Sequence, residues 1–263
     1  MTDAFYLPLG GGRYSPTKHT AGPWTPDAQH FGPPSALLVR ALEELRRGRP
    51  EVSHTRQLSR VTIEILGPAP LTELSVSARV ERPGRSVEML SAELVSGDRA
   101  VARASAWRMA ASDTGAIASN SVDPLPTPEG VAESPWPNGW SGGYLDAMEW
   151  RAVAGSMAEP GPAAVWARQR VDLVEGEKPS ALQRLFAVAD SGNGVSNFLD
   201  PHQWWFINAE LTVHLLREPA GEWIGLDAAT TVGPNGVGIA TSRLHDLAGQ
   251  VGTGAQALLV RPR

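Results

Sequence analysis

The hexapeptide Val61-Thr-Ile-Glu-Ile-Leu66 has a counterpart 150 residues further along the chain, Leu211-Thr-Val-His-Leu-Leu216. Both stretches alternate apolar and polar side chains, the pattern of a β-strand with one buried face. Pro68-Ala69 and Pro219-Ala220 follow the two stretches at nearly the same distance. A repeated strand with a repeated ending indicates that the chain contains two copies of one structural unit.

A matching pair of helical segments precedes the two strands. Pro34-Ser-Ala-Leu37 and Pro179-Ser-Ala-Leu182 each open an apolar pattern at three- and four-residue spacing, 145 residues apart, which is typical of a core-facing helix. We expect the first helix to begin near Asp27 and to end at Gly48, and the second to run from Pro179 to about Asp190. The change of offset from 145 to 150 is explained by an insertion of five residues in the region from Asp190 to His202 of the second copy.

Further alternating segments predict the remaining strands of each copy. In the first copy they cover about 74–80, 87–93 and 101–109, and in the second about 204–216, 223–232, 237–245 and 251–260. Residues 144–157 and 163–173 are also expected to be extended, and 5–24 to contain one short extended piece. One helix with an antiparallel meander is an α+β unit.

The order of these segments gives a domain plan. We expect an N-terminal unit at 1–112, a linker at 113–142 that is rich in Pro and Gly, and a C-terminal unit at 143–263. Proline cannot donate to a strand ladder, which argues against a strand inside the linker. The linker contains tryptophans, so we expect it to lie on the protein surface.

Composition excludes several classes of protein. The chain has 263 residues, 42% of them hydrophobic, and a net charge of −5, so a folded protein without a nucleic-acid partner is expected. It contains no cysteine, which excludes disulfides, thiolate metal sites and a cysteine nucleophile. Neither a signal peptide nor a run of 18 apolar residues is found, so we expect a cytoplasmic protein without membrane insertion.

Several short motifs carry a resemblance to a known family. They are Gln29-His-Phe-Gly-Pro-Pro-Ser-Ala-Leu37, Ala189-Asp-Ser-Gly-Asn-Gly194, Trp205-Phe-Ile-Asn-Ala-Glu-Leu-Thr-Val213, Arg217-Glu-Pro219, and Asp246-Leu-Ala-Gly249 with Gln256. In this order and spacing, over nearly the whole chain, they resemble the TesB-like acyl-CoA thioesterases in their actinobacterial form. The resemblance implies a double hot-dog fold, with one continuous antiparallel sheet and two central helices. It also implies an acyl-CoA substrate, a homo-oligomer, and no metal or redox cofactor.

The resemblance also implies an active site in the C-terminal unit. Carried over by position, the catalytic residues are Asp190, Asn208 and Gln256, which would position a water for attack on the thioester. Many relatives have threonine where this chain has Asn208, and an asparagine can likewise donate and accept hydrogen bonds. Backbone N–H groups at Ser191, Gly192 and Gly194 are expected to bind the substrate oxyanion.

Each of these residues also has a purely structural interpretation. Asp190 could shape the turn that follows it, and Asn208 could be an outward strand residue. His30 lies where a degenerate first active site could be, and it is interpreted as a histidine near the start of a core helix. Ser141 lies in a Gly-x-Ser-x-Gly match that lacks the strand–turn–helix context of a nucleophile elbow.

Two other functions stay open from the sequence. A non-catalytic acyl-CoA or lipid binder would keep the duplicated fold without turnover, and Asn208 is the residue that favours it. A double hot-dog enoyl-CoA hydratase is the weaker alternative, because Asn197-Phe-Leu-Asp-Pro-His202 shares letters but not spacing with the hydratase motif.

Overall fold

The computed structural model describes residues 3–25, 27–47, 56–119, 122–136 and 140–263. Within them, fourteen strands and four α-helices follow one another. The strands are β1 Ala4–Gly10, β2 Arg13–Pro16, β3 Arg56–Ile65, β4 Leu74–Arg82, β5 Val87–Ser96, β6 Arg99–Ala110, β7 Met148–Ala154, β8 Ala163–Gln169, β9 Asp172–Val174, β10 Trp204–Asn208, β11 Glu210–Leu215, β12 Ile224–Val232, β13 Val237–Asp246 and β14 Gly249–Pro262. The helices are α1 Gly32–Arg47, α2 Gly143–Asp146, α3 Ala181–Ala189 and α4 Gly192–Val195.

The strands form one sheet whose two halves repeat the same order. From the centre outward, one half runs β3, β6, β5, β4, β2, β1 and the other runs β11, β14, β13, β12, β8, β7. Strand β9 pairs in parallel with β1, and β10 pairs with β14. The matching strands β3 and β11 meet in the middle, where Thr62 lies opposite Thr212 and their hydroxyl oxygens are 3.1 Å apart. The two copies seen in the sequence are therefore related by an approximate twofold axis that passes between β3 and β11.

The two long helices lie together on the sheet and fill the core. Leu37, Leu38 and Leu42 of α1 and Leu185 and Phe186 of α3 are completely or almost completely buried. This is the expected α+β architecture, with one continuous sheet, antiparallel apart from the β1–β9 pair, and one central helix from each unit. None of the described helices has the length and apolarity needed to cross a membrane.

The start of α1 differs from the expectation. The helix begins at Gly32 rather than near Asp27, because Ala28 and Gln29 form β-bridges with Pro70 and Ala21. These bridges hold the backbone extended until the helix starts. The expected end at Gly48 lies outside the described residues.

The N-terminal segment contains two strands, whereas one extended piece was expected. Gly10, Gly11 and Gly12 all have positive φ and connect β1 to β2 as a hairpin, a backbone conformation that favours glycine. In the second unit, Tyr144 lies in the short helix α2 instead of an extended segment.

The segment between the units packs on the second unit. Trp166 Nε1 donates to the carbonyl oxygen of Pro126 at 2.6 Å, and Arg151 Nη1 donates to that of Pro128 at 2.8 Å. The Ser134 hydroxyl oxygen accepts a hydrogen bond from the Ala152 N–H. The proline-rich stretch from residue 122 onward therefore lies on the protein surface, as its tryptophans indicated.

Candidate active site

Asp190 lies at the C-terminal end of helix α3, facing the first unit. The helix starts with a capping box between Ser180 and Gln183, and Asp190 is its C-cap residue. The Asp190 side chain is only 4% exposed. Asn208 Nδ2 donates to its Oδ1 at 2.8 Å, and the backbone N–H of Phe31, from the first unit, also hydrogen-bonds the carboxylate.

Burial changes the acidity of this carboxyl group. It raises the pKa of Asp190 from 3.8 to about 6, against the opposing effect of the hydrogen bonds from Asn208 and Phe31. Desolvation disfavours the ionised form, whereas hydrogen-bond donors favour it. A carboxyl group that exchanges its proton near neutral pH is suited to general base catalysis.

Asn208 owes its position to a break in the strand. A single strand was expected over residues 204–216, but β10 and β11 are separate. Asn208 lies opposite Leu258 of β14, and Thr212 lies opposite Ala255. Four residue steps on one strand thus face three on the other, which is a β-bulge with one extra residue.

The bulge changes which residues face inward. Phe206 of β10 is buried, and so are Leu211 and Val213 of β11, although simple alternation would put 206 on the opposite face from 211 and 213. The extra residue of the bulge is the exposed Ala209. Asn208 therefore lies on the same face as Phe206 and reaches Asp190.

Gln256 joins the site through the main chain. Its Nε2 donates to the Asp190 carbonyl oxygen at 3.0 Å, and its Oε1 accepts from the Asn193 N–H at 3.1 Å. A Cβ at Gly192 would lie 2.7 Å from this Oε1, so a glycine is needed where the turn passes Gln256. Asp190 and Asn208 thus contact each other by side chains, while Gln256 holds the backbone of Asp190.

The backbone donors expected to bind an oxyanion are partly engaged inside the fold. The N–H of Ser191 donates to Val188 O at 2.9 Å, and that of Gly194 donates to Ser191 O at 3.0 Å. These two groups stabilise the turn between α3 and α4, so they are poorly placed as free donors. Substrate binding by Ser191, Gly192 and Gly194 stays a prediction.

Comparison with known families decides the class of the protein. Residues 20–109 match the model of the acyl-CoA thioesterase N-terminal domain, and residues 128–260 match that of the acyl-CoA thioesterase C-terminal domain. The chain belongs to the acyl-CoA thioesterase family. Membership supports acyl-CoA thioesterase activity as the general class of function. No curated protein sequence matches this chain.

Solved structures share the fold along the whole chain. A candidate thioesterase II from Thermobifida fusca has a TM-score of 0.73 at 20% identity, covering 99% of this chain and 98% of that chain. A protein of unknown function with a hot dog fold from Alicyclobacillus acidocaldarius has a TM-score of 0.73 at 16% identity, covering 98% and 97%. A tesB protein from Mycobacterium avium has a TM-score of 0.68 at 14% identity, covering 98% and 96%. These likenesses confirm the predicted double hot-dog fold.

The first unit carries apolar residues at two positions where the second carries candidate site residues. Leu58 and Ala106 precede Asn208 and Gln256 by 150 residues. Strand β3 even keeps the bulge, with its register shift between Leu58 and Arg60. Both Leu58 and Ala106 are buried. Both units have thus kept the strand bulge. Polar residues at these two positions, Asn208 and Gln256, occur in the second unit alone.

His30 is the residue whose position the sequence did not reveal. It was interpreted as a histidine near the start of a core helix, and it does lie two residues before α1, but its Nδ1 is also 3.5 Å from Asp190 Oδ2. Its ring stacks on Tyr144 with centroids 3.8 Å apart and planes 8° apart. The signal in the sequence was the family-like segment Gln29–Leu37, in which His30 lies.

Other motifs of the thioesterase stabilise the fold. Arg217 pairs with both carboxylate oxygens of Asp246, which also accept from the N–H groups of Ala220 and Ala248. Burial acts against ionisation, but these hydrogen bonds outweigh it and hold the pKa of Asp246 below its usual value. The resemblance at Arg217 and Asp246 therefore marks a structural ion pair that joins two loops.

The candidate reactive residues of the remaining sequence matches are exposed. Ser141 is exposed and precedes the short helix α2. Asp200 and His202 are exposed in the turn before β10, where Asp200 Oδ1 accepts from the His202 N–H. Neither the serine match nor the hydratase-like match contributes a buried reactive group.

Proposed function

We propose that this chain hydrolyses a fatty acyl-CoA thioester to the free acid and CoA with a water activated by Asp190. One observation carries the proposal: a buried carboxyl group with a pKa of about 6 is hydrogen-bonded to Asn208. In the first unit, the position that corresponds to Asn208 holds Leu58. The half-buried Asn208 and the buried Gln256 occupy positions that are apolar in the first unit, Leu58 and Ala106. This supports a chemical role, since burying polar groups has a stability cost.

In this mechanism Asp190 is the general base. Its carboxylate takes a proton from water while the water oxygen forms a bond to the thioester carbonyl carbon. The tetrahedral intermediate then breaks its C–S bond, and the leaving thiolate receives the proton back from Asp190. Atoms and charges balance with water as the only co-reactant.

Asn208 and Gln256 would orient that water. The two Nδ2 contacts of Asn208 go to Asp190 Oδ1 and to the Glu210 carbonyl oxygen at 3.3 Å, so we assign its Oδ1 as the acceptor for the water. Gln256 Nε2 uses one hydrogen on the Asp190 carbonyl. We assign its second hydrogen as a donor to the water or to the developing oxyanion.

The test is release of free thiol from acyl-CoAs of increasing chain length. The wild type is compared with Asp190→Asn and with Asn208→Leu, which copies the first unit. We expect both variants to lose about 100-fold or more in kcat, the usual size of a general-base contribution. Asp113→Asn, an exposed carboxylate in the linker, is the matched control and should keep wild-type rates.

Two outcomes would oppose the proposal. Full activity of Asp190→Asn would exclude that residue as the base. Tight binding of acyl-CoA without thiol release by the wild type would favour the non-catalytic binder.

The natural acyl chain, the cytoplasmic location and the homo-oligomer stay predictions.

A further inference from the structure

His30 faces the candidate base from the other unit. It lies in the extended segment before α1, and its Nδ1 accepts a hydrogen bond from the Gly32 N–H at 3.0 Å. The proton of the neutral ring is therefore on Nε2. The stacked ring of Tyr144 holds the imidazole in place, since the Tyr144 hydroxyl donates to Ala187 O at 2.7 Å.

The ring stays neutral under ordinary conditions. Burial lowers the pKa of His30 to about 3, so His30 and Asp190 do not form an ion pair at neutral pH. Instead, Nδ1, whose lone pair accepts the Gly32 N–H, lies 3.5 Å from Oδ2 of Asp190. Two acceptors at this distance repel each other when the carboxylate is ionised. Once Oδ2 carries a proton, its O–H can hydrogen-bond to Nδ1 by sharing or displacing the Gly32 N–H, because Nδ1 has a single lone pair.

We propose that His30 is a positioning residue that accepts a hydrogen bond from Asp190 after Asp190 has taken the proton of water. This role rests on the proposed function. The water O–H bond breaks, the proton moves to Oδ2, and His30 Nδ1 stabilises the resulting carboxylic acid. The proton then goes to the leaving thiolate, and Asp190 returns to its ionised form. His30 gains and loses no proton in this cycle.

The other groups around Asp190 do not change charge over the same pH range. Tyr144 is the second titratable group near Asp190, and burial raises its pKa far above the neutral range. Asn208 and the Phe31 N–H are uncharged donors on the remaining sides. Among the described residues, the fall in activity at acid pH therefore measures the pKa of Asp190, which His30 influences.

The first test is the pH dependence of kcat/KM in His30→Phe. The phenyl ring keeps the stacking on Tyr144 but lacks the acceptor, and the freed Gly32 N–H can donate to Oδ2 instead. Both effects favour the ionised carboxylate. We expect the acid limb to move down by about one pH unit, a tenfold change in the acid constant. We expect kcat to fall about tenfold, as for a weaker base, with KM within about twofold.

Two further variants separate this role from a structural one. His30→Asn places a carbonyl oxygen where Nδ1 was and should restore most of the acid limb and of kcat. His214→Phe, on the exposed face of β11, is the matched control and should leave both unchanged. An acid limb identical in wild type and His30→Phe would overturn the proposal, as would a loss confined to KM.

A second measurement does not depend on folding of the phenylalanine variant. In wild-type protein with ¹⁵N-labelled histidine, His30 should show an unprotonated Nδ1 and a protonated Nε2. Its Nδ1 signal, identified by its loss in His30→Asn, should shift with the ionisation of Asp190. That shift should disappear in Asp190→Asn. A protonated Nδ1, or a signal that ignores Asp190, would exclude the contact. This readout needs no turnover, so absence of thioesterase activity would refute the proposed function while leaving the His30 contact testable.

Discussion

Asp190 combines deep burial with a charge, and its ionisation costs stability. The pKa of the folded state, about 6, is above the ordinary value of 3.8. A group with a raised pKa stabilises the fold below its ordinary pKa, and that stabilisation is lost as pH rises through the folded-state value. At pH 8 the wild type therefore carries an ionisation cost of up to about 3 kcal/mol.

Asp190→Asn should consequently be more stable than the wild type at pH 8. The neutral amide removes the buried charge, and its oxygen can still accept from Asn208. We expect a gain of up to about 3 kcal/mol in the free energy of unfolding at pH 8, roughly half of it at pH 5, and almost none near pH 3. Urea unfolding at these three pH values measures it.

The same exchange at Asp113 provides the comparison. Asp113 is exposed, so Asp113→Asn should change stability little at any of the three pH values. A variant at 190 that is less stable than the wild type at pH 8 would show that the carboxylate is a structural hydrogen-bonding group. More stability with less activity is the combination that a catalytic carboxylate produces.

At the scale of residues, the sequence predicted part of the candidate site. Asp190, Asn208 and Gln256 were chosen by resemblance, and the structure brings the first two into direct contact and Gln256 onto the Asp190 main chain. The sequence places His30 near the start of a core helix but does not predict its contact with Asp190, because that contact joins segments 160 residues apart. Spacing along one chain predicts local elements, but it does not show which distant side chains share a buried space.

At the scale of the elements, the hydrophobic alternation did not predict the bulge between β10 and β11. Residues 204–216 contain enough apolar positions to fit a single strand, yet the inward phase changes at Ala209. The copy in β3 repeats the shift beside Leu58, so the bulge belongs to the unit itself. A bulge adds one residue without a marked change in composition, which is why hydrophobic alternation does not reveal it.

The junction of α1 and α3 depends on Gly32. A Cβ there would lie 2.3 Å from the Ala187 carbonyl oxygen, closer than real contacts allow. Gly32→Ala should therefore push the start of α1 away and lower the free energy of unfolding by about 1–3 kcal/mol, the usual cost of overpacking. Because Phe31 and His30 precede this point and contact Asp190, kcat should fall as well.

Chemical unfolding and thiol release on the same samples test this effect. Gly115→Ala is a suitable control, since the nearest atom to a Cβ there is an Asp113 side-chain oxygen at 3.3 Å. It should leave both stability and kcat near the wild-type values. Unchanged kcat in a destabilised Gly32→Ala protein would show that the helix junction does not position Asp190.

At the scale of the whole molecule, the two units form one body. Strands β3 and β11 pair at the centre, and α1 packs on α3. The family resemblance implied this arrangement of one continuous sheet with a central helix from each unit. The sequence did not show that the first unit would supply part of the surroundings of the base. Asp190 receives Phe31 and His30 from that unit, so the candidate site needs both.

Cutting the connection between the units should therefore leave the enzyme assembled and active. Residues 113–119 have exposed side chains, and the chain from 122 onward is bound to the second unit through Pro126 and Pro128. A protease site inserted at 115–117 separates the two units covalently without touching the central sheet or the helix junction. After cleavage, the two pieces should elute together in size-exclusion chromatography at micromolar concentration and keep thiol release within about twofold of the uncut protein, because backbone hydrogen bonds and apolar burial still join them. Pieces that separate, or a joined complex without activity, would show that the connection itself holds His30 and Asp190 together.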